Sequence, residues 1–379
     1  MGKRWLAIVL TGIMALSFTA CGGSGSSSED TGDAAAEVTE AASEEDSAAG
    51  TEETDSGETA SSGETLTIGY SYPTANNEFW SNALEYLQQA ADAIGFDILA
   101  NDCNNDQAEQ VTDVESMLSS GIDALVLGPQ DASVCAGITA ACKEQNIPVV
   151  IIDRWPGDDL TAGEDYVCFI GPNDEEAGYQ IAMSLINAGC TKLVGIGGYQ
   201  GTSVAENRKA GLDKALAENP DVELLQFEYA GENWDDGDEA FRNLYQAHPE
   251  LDGVWCYNDS LALATVNVLK EENRISDVKT GGMDLLGPAV ESMQAGELWF
   301  STGGHYLQTA FAAIVAYDVA SGIEYDGELN IQLDLLTVSQ ENLDQYEEKF
   351  MSDSSPIDWT SLSKVTNPDA TYDFALSLE

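Results

Sequence analysis

Positive charge is scarce in this chain, where 14 Lys and Arg stand against 67 Asp and Glu, a formal net charge of −53. So acidic a surface repels a phosphate backbone, which excludes nucleic acid as a partner. Histidine is rarer still: His248 and His305 alone are available as a general base or a nitrogen ligand. None of the seven cysteines forms a C-x-x-C pair, so the ligand spacing of a metal site is missing. The apolar run at 5–20 falls short of the ~18 residues that cross a bilayer, and Ser17 and Thr19 interrupt its end. From Gly22 to Thr65 there is no aromatic residue and no Lys or Arg. That stretch cannot bury a core.

What the N-terminus does contain is Lys3 and Arg4, then the short apolar run, then Cys21, the pattern of a signal peptide over 1–20. Phe18-Thr19-Ala20-Cys21 resembles the bacterial lipoprotein lipobox, with Phe18 where Leu is usual. The resemblance implies that Cys21 receives a diacylglycerol and holds the mature protein at the outer face of the cell membrane. Residues 21–65, rich in Ser, Gly, Ala, Thr and 13 acidic residues, read as a lipidated, acidic, disordered tether. The core that follows has 12 basic and 54 acidic residues.

The other six cysteines, Cys103, Cys135, Cys142, Cys168, Cys190 and Cys256, read as buried thiols. Cys135 and Cys142 are seven residues apart in a predicted helix, about 10.5 Å along its axis and too far for one disulfide. From residue 66 the core repeats strand then helix. Apolar runs predict strands at 66–70, 96–99, 124–127, 149–152 and 167–170, and a second series at 192–196, 223–227, 253–255, 278–281 and 299–302. Between them lie helical periods such as Ala83, Leu84, Leu87, Ala90, Ala91 and Ile94. The fold class is α/β, with doubly wound parallel sheets covered by helices on both faces.

In such sheets a ligand binds beyond the carboxyl ends of the strands. The first strand is followed by Asn76, Asn77, Phe79 and Trp80, and the fourth by Asp153, Arg154 and Trp155. The second series delivers Arg208, Trp234, Asn258 with Asp259, Asp284 and His305. Carboxylate, amide and guanidinium groups suit adjacent hydroxyls, which both donate and accept. Aromatic rings such as Phe79, Trp80 and Trp234 suit the C–H faces of a sugar ring. Asp259 or Ser260 is expected to cap the helix that follows, leaving Asn258 to the ligand. Asp235, Asp236 and Gly237 place Trp234 on an exposed loop. The charge account of this edge sets Asp153, Asp259 and Asp284 against Arg154 and Arg208, and favours a neutral ligand.

The stretches T-A-N-N-E-F-W (74–80), P-V-V-I-I-D-R (148–154), G-T-S-V-A-E-N-R-K-A-G (201–211), Y-N-D-S-L-A-L (257–263) and G-M-D (282–284) resemble the ribose and galactose type of periplasmic sugar-binding protein. The resemblance implies a type I periplasmic binding protein fold, two lobes joined by three crossings near Gly171, Gly304 and Leu333. It implies lobe 1 at 66–170 and 305–333, lobe 2 at 171–304 and 334–350, and a C-terminal extension at 351–379. Carried onto this sequence, the family's sugar contacts fall on Asn77, Phe79, Trp80, Asp153, Arg154, Arg208, Trp234, Asn258, Asp284 and His305. The implied function is capture of a neutral monosaccharide or polyol and delivery to an ABC transporter permease, by a monomer with no cofactor and no enzymatic activity. A sensory role, presenting the bound sugar to a chemoreceptor or kinase ectodomain, is the alternative.

Two motifs point elsewhere and are weaker. Gly201-Thr202-Ser203-Val204-Ala205 mimics the nucleophile elbow of a serine hydrolase, but Ser203 and Glu206 also read as a helix capping box. Asp102, Asn104 and Asp106 resemble the start of a calcium loop, with Gln107 where the glycine is required.

Overall fold

The computed structural model describes residues 65–350 and 357–378. The leader at 1–20, the lipidation site Cys21 and the tether up to residue 64 lie outside the described residues, as does the start of the C-terminal extension.

The strands form two six-stranded sheets. The first contains β1 (Thr67–Tyr72), β2 (Asp97–Asp102), β3 (Ala124–Leu127), β4 (Val149–Ile152), β5 (Phe169–Pro172) and, late in the chain, β11 (Asn330–Leu333), in the order β11-β5-β4-β3-β1-β2. All its pairings are parallel. The second contains β6 (Lys192–Gly197), β7 (Glu223–Tyr229), β8 (Gly253–Cys256), β9 (Lys279–Asp284), β10 (Phe300–Gly303) and β12 (Leu336–Ser339), in the order β12-β10-β9-β8-β6-β7. Only β12 runs antiparallel, against β10.

The apolar runs become strands because both faces are covered. In the first lobe Leu125, Leu127, Val149 and Ile151 pack into one hydrophobic cluster, with Val114, Met117 and Ile138 from α2 (Gln107–Ser120) and α3 (Ala132–Glu144). Val126, Val150 and Ile152 point the other way, into the cluster that holds Leu87 of α1 (Glu78–Ile94) and Ile314 of α9 (Gln308–Ala320). The second sheet is flanked by the packed pairs α4 (Asp174–Asn187) with α5 (Ser203–Glu218), and α6 (Trp234–Ala247) with α7 (Asp259–Glu271). Two shorter helices, α8 (Gly287–Gln294) and α10 (Leu343–Phe350), follow on that side.

The chain passes between the sheets three times: from β5 into α4, from β10 through a 3-10 turn at His305–Leu307 into α9, and from β11 to β12. Beyond them α11 (Trp359–Leu362) and the segment to 378 lie on α1 and α9 of the first lobe. Trp359 meets Tyr86 and Phe311, and Phe374 stacks on Phe311 at 4.5 Å. The buried carboxylate of Asp318 accepts from Ser363 Oγ, the Lys364 amide and Tyr372 Oη.

All six described cysteines are buried free thiols, and burial pushes Cys135 up to about 12. One local reading changes. The cap of α5 is Thr202, still extended at φ −75° and ψ 143°, whose hydroxyl accepts from Ala205 N at 3.3 Å. Ser203 is already helical, so it forms no capping box with Glu206, which instead accepts from Gly201 N and Tyr229 Oη. In the calcium-like stretch, Asp102 accepts from Asn104 N and Asp106 caps α2.

Candidate binding site

The carboxyl ends of β4 and β9 are bent out of regular conformation: Asp153 has φ 66°, Asp284 φ 121° and Leu285 φ 57°. Side chains other than glycine rarely adopt such angles, and the strain persists where the surroundings hold it. It turns both carboxyl groups toward one small cavity of about 30 Å³, lined also by Asn77, Phe79, Trp80, Arg154 and Arg208 and by Asn258 and His305. Nine of the ten sequence-derived contact residues are thus brought together, from both sheets. Glu232 and Tyr257 complete the wall.

Asp153, Arg154 and Arg208 are each held by a neighbour. Gln308, at the start of α9, donates from Nε2 to Asp153 Oδ1 at 2.9 Å. The buried Gln110 donates to Ser71 Oγ and Gly128 O and accepts from Gln130 N, which fixes the β3–α3 loop. Gln130 O then accepts from Arg154 Nη1 at 2.7 Å. On the other face Arg208 donates from Nε to Asp174 Oδ1 at 2.8 Å and from Nη1 to Tyr257 O at 2.9 Å, with its guanidinium 4.3 Å over the Tyr257 ring. Burial pushes the carboxyl of Asp174 up to about 6, against the pull of Arg208.

Glu232, in the loop between β7 and α6, ties the two sides together. Its carboxylate lies 3.4 Å from Arg154 Nη2 of the first lobe and accepts from Tyr257 Oη of the second at 3.1 Å. Its carbonyl accepts from Asn258 Nδ2 at 2.9 Å. The aromatic wall is Phe79, edge-on to Trp80 at 5.0 Å and 4.6 Å from the His305 ring. His305 Nε2 lies 3.7 Å from Asp284 Oδ1. Burial drives this imidazole well below its ordinary range, and Arg208 adds to the effect. Burial also drives Asp284 well above the usual carboxylate range, although Arg208 opposes it.

Two expectations are corrected here. Asn258, not Asp259 or Ser260, caps α7, since Asn258 is the last extended residue (φ −146°, ψ 176°) and its Oδ1 accepts from Leu261 N. Asp259 does not line the cavity: it accepts from Ser301 Oγ at 2.8 Å and Leu286 N at 3.1 Å, fully buried behind the wall. Glu232 lines the cavity where Asp259 was expected. Trp234 stands apart from the other nine, as the first residue of α6, 43% exposed, in an outer groove. Tyr257 was within reach of the sequence, in the Y-N-D stretch that follows β8. Glu232 had no such signal, because only the path of its loop shows that this carboxylate turns into the cavity.

Residues 68–324 match the family model described as periplasmic binding protein domain. Among relatives, the xylitol-binding protein of Mycolicibacterium smegmatis is 26% identical over 245 residues, 64% of this chain and 68% of that protein. The ribose import binding protein of Escherichia coli K12 is 28% identical over 235 residues, 61% and 77% of the two chains. A solved ABC transporter solute-binding protein from Mycobacterium smegmatis, with bound glycerol, superposes with a TM-score of 0.67 at 26% identity, covering 74% of this chain and 96% of that one.

Proposed function

Since this chain belongs to the family of periplasmic binding protein domains, with the type I fold, we propose that it captures a neutral monosaccharide or polyol between its lobes. It acts outside the cytoplasm as a binding protein, not an enzyme, and hands the ligand to an ABC transporter. The observation that carries this reading is the alternation of acceptors (Asp153, Glu232, Asp284), donors (Arg154, Arg208) and rings (Phe79, Trp80) around one cavity. Adjacent hydroxyls can donate to the first group and accept from the second while the C–H faces lie against the third. Relatives named for xylitol and ribose, and a neighbour holding glycerol, share that ligand chemistry.

Neutrality follows from the pairing. Arg208 is committed to Asp174, and Arg154 to Glu232 and, at 3.9 Å, to Asp153. An anionic ligand would have to displace one of these partners in a closed space where screening is weak. The test is calorimetric titration with D-ribose, D-allose, D-galactose, xylitol and myo-inositol, beside glucuronate and ribose 5-phosphate. At least one neutral compound is expected to bind, and at 100 times its dissociation constant to add about 2.7 kcal/mol of stability. Silence from every neutral compound, or tighter binding of an anion, overturns the reading. We assign the membrane attachment to Cys21, so Cys21→Ala is expected to move the protein out of the membrane fraction; a variant that stays there would count against the anchor.

A further inference from the structure

Asp153 lines the enclosed cavity, but the residue that orients its carboxylate does not. Gln308 is fully buried as the first residue of α9, directly after the crossing at His305–Leu307. From there its Nε2 donates to Asp153 Oδ1 at 2.9 Å, across 155 residues of sequence. The other carboxylate oxygen, Oδ2, lies 3.9 Å from Arg154 Nε, beyond hydrogen-bond reach. Gln308 thus supplies the hydrogen bond that sets the direction of the group, and Oδ2 is left for a hydroxyl in the cavity. The backbone at Asp153 is in the left-handed region, φ 66°, a conformation that persists only where its surroundings hold it.

An amide is otherwise out of place here. Ala310 to Ala316 of the same helix are all apolar and buried, and methionine would fill the space of Gln308 with no polar atom. Gln308 Oε1 has no hydrogen-bond partner among the described residues, which is unfavourable for a buried polar atom. Only the amino end of the amide can face an ionised carboxylate, so Asp153 accounts for both the residue type and its orientation. Burial pushes the Asp153 carboxyl up, while Arg154 and the hydrogen bond from Gln308 pull it back toward the ionised form.

We propose that Gln308 is a positioning residue for ligand capture: it lies outside the cavity wall and holds Asp153 so that Oδ2 accepts from a hydroxyl of the ligand. The proposal rests on the reading of the enclosed cavity as a sugar or polyol site, and it adds to that site a determinant of affinity that touches no ligand.

A double-mutant cycle tests it, with the probe taken from D-ribose, D-allose, D-galactose, xylitol and myo-inositol as the one that the wild type binds most tightly. Gln308→Met keeps the length of the side chain and removes the donor, and it is expected to weaken that probe about tenfold, the loss of one charge-assisted hydrogen bond. Asp153→Gly removes the carboxylate at a φ that glycine accepts. Beside it, Gln308→Met is expected to change the affinity by less than about twofold. Melting temperatures of the four ligand-free proteins repeat the comparison without a ligand: Gln308→Met is expected to lower the melting temperature more beside Asp153 than beside glycine. If the wild type binds a probe and Gln308→Met binds it equally well, the positioning role is wrong and the cavity reading survives. Equal losses in both backgrounds, of affinity or of melting temperature, would show that Gln308 only packs α9 and would overturn the proposal. If the wild type binds no probe, the sugar reading itself has failed and the positioning role falls with it.

Discussion

Asp259 and Asp284 are shut away from water on consecutive elements of the second lobe, 0% and 5% exposed. Burial lifts Asp259 to about 8, although hydrogen bonds from Ser301 and Leu286 oppose the rise. An unfolded chain releases this proton near pH ~3.9. Between that pH and about 8 the native state holds a proton that the unfolded state has lost, so stability falls as pH rises through the interval. Asp259→Asn keeps the shape, can accept from Leu286 N and can donate to Ser301 Oγ, but does not titrate. Melting temperatures from pH 4 to 9 are therefore expected to decline less steeply in Asp259→Asn than in the wild type. Parallel curves would show that Asp259 carries no share of the dependence. The sequence shows that one of Asn258, Asp259 and Ser260 caps a helix. It does not show which, because shifting the helix start by one residue exchanges a cavity-facing side chain for a buried one.

At the scale of elements, strands were legible because parallel strands buried on both faces read as unbroken apolar runs. Val149–Ile152 is such a run, and the structure keeps its bounds. Helix contacts were not legible in this way. Gly178 of α4 and Gly211 of α5 each read as an ordinary weak spot in a helix, yet they let the two backbones touch. A methyl group on Gly178 would strike the Arg208 carbonyl, and one on Gly211 the Glu175 carbonyl. That contact sets Arg208 beside Asp174, the first residue of α4. Gly211→Ala is expected to force the helices apart, costing about 1–3 kcal/mol as overpacking does, and to weaken ligand binding by moving the guanidinium. Urea midpoints and titration on the same variant check both effects. A variant with unchanged midpoint and affinity would show that the helices yield without disturbing Arg208.

At the scale of the whole molecule, family motifs made the two-lobed plan legible, along with eight of the nine expected residues of the cavity, all but His305, which no quoted motif contains. A contact between lobes leaves no such mark. Arg154 and Glu232 are 78 residues apart, on opposite lobes, and their side chains are only 10% and 18% exposed. A pair this sheltered is screened less by salt than a surface pair, and it forms only while the lobes are together. Glu232 also accepts from Tyr257 on its own lobe, so the carboxylate is already oriented when Arg154 arrives. The pair is expected to act as a latch that opposes opening about the three crossings. Glu232→Gln keeps an acceptor for both neighbours and removes the charge. Interface substitutions that break charge pairs act mainly on the dissociation rate, so stopped-flow measurements are expected to show faster ligand release from Glu232→Gln, with association little changed. Small-angle scattering of the wild type is expected to give a smaller radius with ligand than without, and a smaller contraction for Glu232→Gln at equal saturation. A release rate and a contraction both equal to those of the wild type would mean that the ligand alone holds the lobes together and that the Arg154–Glu232 pair is incidental to closure.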